Sequence, residues 1–278
     1  MQEKMASFKL RLDRGLKTTA LRSLRLNLRA KRLFTKRKNC LFITCFPKSG
    51  STFLVSALAE CSGYTRQFLG FDQLNEQDLY LPNLIDSYNM NIVCHQHTRA
   101  TLPNLKLIKE FGIRPVVLVR NIFDCLISLR DHLERESSQT PVFSATDKFF
   151  SKSQTDQLDE LIDIALPWYV NFVMSWKSAQ SEGVNPLWLT YEDMMVDKPG
   201  TVRKILEFYD FDHMGSDIDA AVSDVNARTN TRFNRGVIGR GRLLLSAEQQ
   251  RRVMDRFQHY SDVDFSMIGI APVPNTMA

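Results

Sequence analysis

Two patterns of hydrophobic and polar positions alternate along most of the chain. Short apolar runs rich in β-branched residues are typical of buried strands, and longer segments with an apolar residue every three or four positions are typical of amphipathic helices. The first strand-like run begins at Cys40, and three further runs cover 91–94, 115–119 and 186–190. The helix-like segments cover 53–60, 102–111, 122–136, 158–180, 201–209, 218–225 and 246–260. This alternation predicts an α/β domain whose central parallel sheet is flanked by helices on both faces.

Three segments depart from this alternation. Residues 64–90 give mixed signals and are predicted to form a loop region with short helices, and 137–155, rich in Ser, Thr and Gln, is predicted to be a loop. Residues 228–245 contain three glycines among several arginines, so no regular element is predicted there. The helix over 158–180 is expected to kink near Pro167, because proline interrupts helical hydrogen bonds.

The first 38 residues form a basic arm with its own pattern. Residues 1–38 hold 13 Lys and Arg and 2 acidic residues, a net charge of +11, which leaves −6 for 39–278 in a chain of +5. The apolar residues that recur every four positions in the arm are Phe8, Leu12, Leu16, Ala20, Leu24 and Leu28. The sequence therefore predicts two parts, a basic amphipathic arm at 1–38 and one domain at 39–278. Four roles of the arm stay open: membrane-surface docking, nucleic-acid contact, targeting, or packing of the apolar stripe on the domain.

Composition narrows the class of protein. The chain of 278 residues is 44% hydrophobic and 24% charged, which is ordinary for a soluble globular protein. Its five cysteines include no C-x-x-C pair, so neither a metal site nor a disulfide framework is predicted, and a reducing, cytoplasmic compartment is favoured. No apolar run reaches the roughly 18 residues of a transmembrane helix, and no secretory signal is predicted.

A polar loop after the first strand carries the strongest chemical signal. A strand, a glycine-containing loop and a helix together hold phosphate well, because free N–H groups and the positive end of the helix dipole point at the anion. Lys48 adds a charge, and Ser49, Ser51 and Thr52 add hydroxyl donors around Gly50. The loop is not a Walker A motif, in which the lysine directly follows the second glycine.

Four polar residues lie just after predicted strands. They are Lys48, His97, Arg120 and Tyr191. Ligands of open parallel sheets bind outside the carboxyl ends of the strands, so the four residues are predicted to share one site. Arg120 offers a bidentate fork suited to phosphate, and Ser128, eight residues later, adds a neutral donor.

The order of these motifs resembles that of sulfotransferases that use 3′-phosphoadenosine 5′-phosphosulfate (PAPS). Pro-Lys-Ser-Gly-Ser-Thr at 47–52 is similar to their 5′-phosphosulfate loop, and Arg120 with Ser128 is similar to their 3′-phosphate element. Residues 233–239 resemble the late Arg-Lys-Gly-x-x-Gly segment that closes over the 3′-phosphate, and 191–194 match the family's Tyr-Glu-Asp-Met stretch. The resemblance spans 40–260 and implies a three-layer sulfotransferase fold like that of P-loop NTPases.

The resemblance also implies a role for each matched residue. Residues 48–52 would bind the 5′-phosphosulfate, and Tyr191 would lie near the adenine. The residues implied to hold the 3′-phosphate are Arg120, Ser128, Asn234, Arg235 and Gly236. Asn234 stands where the family usually has arginine, Arg235 where it has lysine, and Arg240-Gly241 replaces the usual Asp-Trp. The detailed contacts of this late segment are therefore expected to differ.

The implied reaction is transfer of a sulfuryl group from PAPS to an acceptor hydroxyl or amine, which yields a sulfated product and 3′-phosphoadenosine 5′-phosphate (PAP). Like phosphoryl transfer, this in-line displacement depends mainly on positioning and charge stabilisation. Lys48 would stabilise charge on the bridging oxygen. His97, at the position of the family's catalytic base, would take the acceptor's proton, with His95 as the second candidate.

Two other functions stay open at this stage. One is a P-loop enzyme related to nucleotide kinases, for which the run at 115–119 lacks the usual magnesium-binding Asp. The other is a non-catalytic nucleotide-binding protein docked on membrane through 1–38. The negative charge of the domain argues against a nucleic-acid partner. The acceptor is expected to be a small molecule, lipid or carbohydrate, bound by the loops at 64–92 and 137–165, and its identity stays open.

Overall fold

The computed structural model describes residues 19–35, 37–72, 76–211, 217–228 and 237–271. Several predictions lie outside the described residues: the stripe positions Phe8, Leu12 and Leu16, and the site residues Asn234, Arg235 and Gly236. No helix in the described part of the chain is both long enough and apolar enough to cross a bilayer.

The strands of the described chain form a parallel sheet and a small hairpin. They are β1 (Cys40–Cys45), β2 (Thr65–Arg66), β3 (Ile92–Gln96), β4 (Arg114–Val119), β5 (Gln139–Thr140), β6 (Phe143–Ser144) and β7 (Leu187–Thr190). The sheet has the order β2-β3-β1-β4-β7 with every pair parallel, and β5 pairs with β6 antiparallel. Because β3 and β4 flank β1 on opposite sides, the carboxyl end of β1 is the switch point at which such sheets bind ligands.

Helices cover both faces of this sheet, which confirms the predicted architecture. They are α1 (19–34), α2 (Ser51–Ser62), α3 (Leu81–Asp86), α4 (Leu102–Phe111), α5 (Ile122–Arg135), α6 (Asp147–Phe150), α7 (Gln154–Ile164), α8 (Leu166–Ser178), α9 (Tyr191–Val196), α10 (Lys198–Phe208), α11 (Ile218–Ala227), α12 (Arg240–Leu244) and α13 (Ala247–Phe257). Alternate side chains of β1 point to opposite faces. Leu41 and Ile43 pack with α2, α10 and α11, whereas Phe42 packs in the core that includes α4, α5, α7 and α8.

Three predictions about local structure were wrong. The segment 137–155 is not a loop, because β5, β6 and α6 form within it. The segment 158–180 is not one kinked helix: α7 ends at Ile164 and α8 begins at Leu166, with Pro167 in its first turn, where no N–H is needed. Helix α12 forms within 228–245, and Gly239 precedes it in a left-handed conformation with φ 82°.

Helix α1 packs on the domain along one face. Leu28 is buried in the core, and Leu24 packs beside it. The Lys31 ammonium donates to the Ile85 carbonyl at 2.7 Å, and the Arg32 guanidinium donates to the Glu110 carbonyl at 2.6 Å. Those carbonyls belong to the segments that lead into β3 and β4, so α1 lies at the amino edge of the sheet. Of the four roles left open for the arm, the structure shows one for residues 19–34: part of the apolar stripe packs on the domain.

Candidate active site

The loop between β1 and α2 is tightly folded. Lys48 and Gly50 both have a left-handed backbone, with φ 68° and 83°. A Cβ on Gly50 would lie 2.8 Å from Met194 Cε and 3.0 Å from the Tyr191 ring, so a side chain has no room there. The loop therefore packs directly on α9, and the close approach explains why glycine is needed at its tip.

Helix α2 begins without a side-chain cap. The Ser49 hydroxyl is turned away from the helix and donates to the Phe46 carbonyl at 2.7 Å. The first amides of a helix have no partner within it, so those of Ser51 and Thr52 can donate to an anion. The loop thus offers backbone donors beside the half-buried Lys48, while the Ser49 hydroxyl supports the shape of the loop.

Arg120 links this loop to the end of β4. Its guanidinium is buried and donates from Nη1 to the Lys48 carbonyl at 3.0 Å. The guanidinium carbon lies 4.1 Å from the centre of the Tyr191 ring, a cation–π contact that fixes its plane. Among the described residues its Nε has no hydrogen-bond partner. A buried arginine with an unused donor, beside a loop that presents the amides of a helix N-terminus, fits an anionic ligand.

Asp124 joins Arg120 to the segment around α12. Its two carboxylate oxygens accept the amides of Gly239 at 2.8 Å and Gly241 at 2.6 Å. One of these oxygens also lies 3.7 Å from Arg120 Nη2. Asp124 is almost fully buried, so its charge is balanced by these three partners. A single side chain on α5 therefore holds both the arginine and the start of α12.

Two further contacts fasten α12 to α5. Arg240 pairs with Asp131 at 3.1 Å, and a Cβ on Gly241 would lie 2.1 Å from the Phe123 carbonyl carbon. These contacts account for the residue types at 240 and 241, since glycine permits the close approach and arginine has an acid opposite it. Ser128 lies one turn after Asp124, on the same buried face of α5.

His97 lies where β3 ends and is held by the end of β1. Its Nδ1 is 2.8 Å from the Cys45 carbonyl oxygen. A carbonyl only accepts, so Nδ1 carries the proton and Nε2 is left to act as a base or a second donor. Burial lowers the pKa of His97, but contacts with the Cys45 thiol and carbonyl raise it more, and the pKa lies above its ordinary value although nearby Lys48 lowers it.

Glu76 faces the other nitrogen of His97. The distance from Glu76 Oε2 to His97 Nε2 is 3.6 Å, and both side chains are largely buried. The backbone around Glu76 is held in place, because its carbonyl accepts from the Thr98 hydroxyl at 3.3 Å. The Trp168 ring system also lies nearly perpendicular to the His97 imidazole, with 6.4 Å between ring centres. His97 therefore sits between a backbone acceptor and a carboxylate, the arrangement that favours its protonated form.

The structure brings Lys48, Arg120 and Tyr191 together, since Arg120 contacts both the Lys48 carbonyl and the Tyr191 ring. His97 is connected to this group through its hydrogen bond with Cys45, the last residue of β1 before the loop. His95 lies within β3, one position before its end. Sequence reasoning missed Asp124 and Glu76. The position of Asp124 in the first turn of a predicted helix, four residues after Arg120, could have indicated the first. Glu76 lies in a segment without periodicity, and no signal in the sequence indicated it.

The fold and the site define an α/β protein with a parallel sheet and a tight glycine-containing loop between β1 and α2 that differs in sequence from a Walker A motif. More particularly, the chain belongs to the sulfotransferase family: the profile of the sulfotransferase domain matches residues 38–235. A sequence search among curated proteins found no significant match.

Several solved structures with bound PAP share the fold. Mouse sulfotransferase SULT7A1 complexed with PAP has a TM-score of 0.62 and 16% identity, over 84% of this chain and 88% of that chain. Retinol dehydratase with androsterone and PAP has a TM-score of 0.58 and 13% identity, over 85% and 83% of the two chains. Its complex with retinol and PAP has a TM-score of 0.60 and 13% identity, over 82% and 84%. At such identity the likeness shows a shared fold, in agreement with the predicted three-layer architecture.

Proposed function

We propose that this protein transfers a sulfuryl group from PAPS to a hydroxyl or amine of an acceptor. The observation that carries the proposal is the convergence of the Lys48 loop, buried Arg120 and His97 at the carboxyl ends of three adjacent strands. Membership of the sulfotransferase family supports the reaction class. The PAP bound to the structural relatives supports PAPS as the donor.

The residues present fit a donor with phosphate groups at both ends. Lys48 and the amides of Ser51 and Thr52 would hold the 5′-phosphosulfate, and Arg120, whose Nε lacks a hydrogen-bond partner among the described residues, would hold the 3′-phosphate. When bound, PAPS supplies the activated sulfuryl group. The role of Lys48 is then to stabilise the negative charge that remains on the 5′-phosphate as the sulfur–oxygen bond to PAP breaks.

His97 would accept the acceptor's proton at Nε2 while the new sulfur–oxygen bond forms. Its Nδ1–H donates to the Cys45 carbonyl, which fixes both the tautomer and the orientation of the ring. Glu76 would stabilise the imidazolium that results, since its carboxylate lies 3.6 Å from Nε2. We therefore assign His97 as the base and Glu76 as a positioning residue for it. The proton ends on His97, and the electrons of the broken bond stay on PAP.

Binding of nucleotides tests the donor. PAP should raise the unfolding temperature of the full chain, with a gain of about 2.7 kcal/mol at one hundred times its dissociation constant. ATP with magnesium should give a much smaller shift. Equal stabilisation by both would favour the kinase-like alternative and overturn the proposal.

Turnover tests the chemistry. An acceptor screen over small hydroxylated molecules, lipids and carbohydrates should show PAP formation that depends on PAPS and acceptor. With any active acceptor, His97→Ala should lower turnover by about a hundredfold or more, and PAP affinity should hardly change. His259→Ala, which removes an exposed histidine, is the matched control and should stay active. PAP binding without turnover on any acceptor class would favour the non-catalytic alternative.

A further inference from the structure

The face of α1 that points away from the domain has an unusual composition. The inner face of α1 carries Leu24, Leu28 and Lys31. Residues spaced alternately by four and three positions lie along the opposite side of the helix. They are Arg22, Leu26, Arg29 and Leu33. Leu26 is 62% exposed, Leu33 80% and the neighbouring Phe34 85%. We call Arg22, Leu26, Arg29, Leu33 and Phe34 the outer face of α1.

We propose that the outer face of α1 docks on an anionic lipid surface. Exposed leucine and phenylalanine interleaved with arginine suit a bilayer interface, where apolar side chains enter the acyl boundary and guanidinium groups meet lipid phosphates. Arg25 adds a further exposed cation. The outer face bears no acidic residue, and the segment 1–38 has a net charge of +11, so charge complementarity selects an anionic partner.

Other anionic partners fit less well. Nucleic acid would leave Leu26 and Leu33 in water, because phosphate backbones are contacted by cations and polar groups. A second copy of the chain offers acidic residues on α7, but two of them are already paired: Asp159 with Arg252, and Asp163 with Arg252 and Arg256. A lipid surface uses both the apolar and the cationic part of the outer face.

The placement of α1 allows docking without obstruction of the site. Lys31 and Arg32 attach α1 to carbonyls that precede β3 and β4, at the amino edge of the sheet. Lys48, His97 and Arg120 lie at the carboxyl edge. A membrane bound through the outer face would therefore lie at the opposite end of the sheet from the candidate active site.

Co-sedimentation of the full chain with vesicles tests the proposal. Vesicles of phosphatidylcholine with phosphatidylglycerol should bind the protein, and vesicles of phosphatidylcholine alone should bind it weakly. The paired change Arg22→Gln with Arg29→Gln should weaken binding to the anionic vesicles about 30-fold, at about fivefold for each charge near the surface. The paired change Leu26→Ser with Leu33→Ser should weaken it at least tenfold, through lost apolar insertion.

Controls separate docking from loss of structure. Arg203→Gln with Lys204→Gln removes two exposed charges from α10 and should leave vesicle binding within about twofold, because screening confines surface attraction to nearby charges. All variants should keep the wild-type unfolding temperature. The proposal is overturned if the wild type does not bind anionic vesicles or if the outer-face variants bind like the control. It is also overturned if these variants instead dissociate a dimer in sedimentation analysis or abolish binding to duplex DNA while vesicle binding persists.

Discussion

Replacement of Asp124 by asparagine should weaken the binding of PAP. The carboxylate accepts two amides of the α12 segment, one on each oxygen, and it faces Arg120. Asparagine keeps one acceptor and turns its NH₂ group toward the other amide. At least one hydrogen bond to a charged group is then lost, worth about 1.5–3 kcal/mol. Arg120 should stay in place, since the Lys48 carbonyl and the Tyr191 ring still hold it.

The expected consequence is a rise of about 10- to 150-fold in the dissociation constant of PAP, if the docked α12 segment forms part of the nucleotide site. Isothermal titration of the wild type and of Asp124→Asn measures the change. Adenosine 5′-phosphosulfate, which lacks the 3′-phosphate, should lose less affinity than PAP. Asp224→Asn, the same chemical change at an exposed position of α11, serves as control.

Thermal unfolding of the same variants separates two explanations. Asp124→Asn could lower the unfolding temperature but leave PAP affinity within twofold of the wild type. In that case the hydrogen bonds from Gly239 and Gly241 to Asp124 stabilise the fold and do not contribute to PAP binding. That result would refute the reasoning from the shared contacts of Arg120 and Gly241.

Three more expectations follow from single contacts. Glu76→Gln should move the ascending limb of the pH–turnover profile to lower pH, because a neutral partner no longer favours protonated His97; an unchanged limb would exclude Glu76 from the base's environment. Arg120→Ala should weaken PAP far more than adenosine 5′-phosphosulfate in titration, and equal losses would place the 3′-phosphate elsewhere. Leu28→Ala should destabilise the protein by about 2–5 kcal/mol in urea unfolding, whereas exposed Leu26→Ala should cost less than about 0.5 kcal/mol; equal effects would mean that α1 is not part of the core.

The sequence predicted most elements between 40 and 135 because their local signals agree with their packing. Helix α4 begins and ends where predicted, and Gly112 ends it in a left-handed conformation. The capping box of Ser246 and Gln249 forms at the start of α13. In these places the periodicity, the cap and the buried face all indicate the same boundary.

The failures occur where tertiary contacts decide the local structure. Helix α12 exists because Asp124, more than a hundred residues away in sequence, accepts its first amides. The break between α7 and α8 lies at Ala165, two residues before Pro167. A proline can kink the interior of one helix or lie in the first turn of a new one, and the sequence alone does not distinguish these two cases. Glu76 lies beside His97 and Thr98 through tertiary contacts across about twenty residues of chain, so its neighbourhood cannot be inferred from spacing.

The left-handed backbone of Lys48 has a consequence for how the protein trades stability for function. Such a conformation costs a residue with a side chain about 1–2 kcal/mol, a strain that glycine avoids. Lys48→Gly should therefore unfold at least as late as Lys48→Ala on heating, although both variants lack the ammonium group to which the proposed mechanism assigns charge stabilisation. Stability alone would thus favour glycine at position 48, and the strained lysine found there supports the proposed role of its ammonium group.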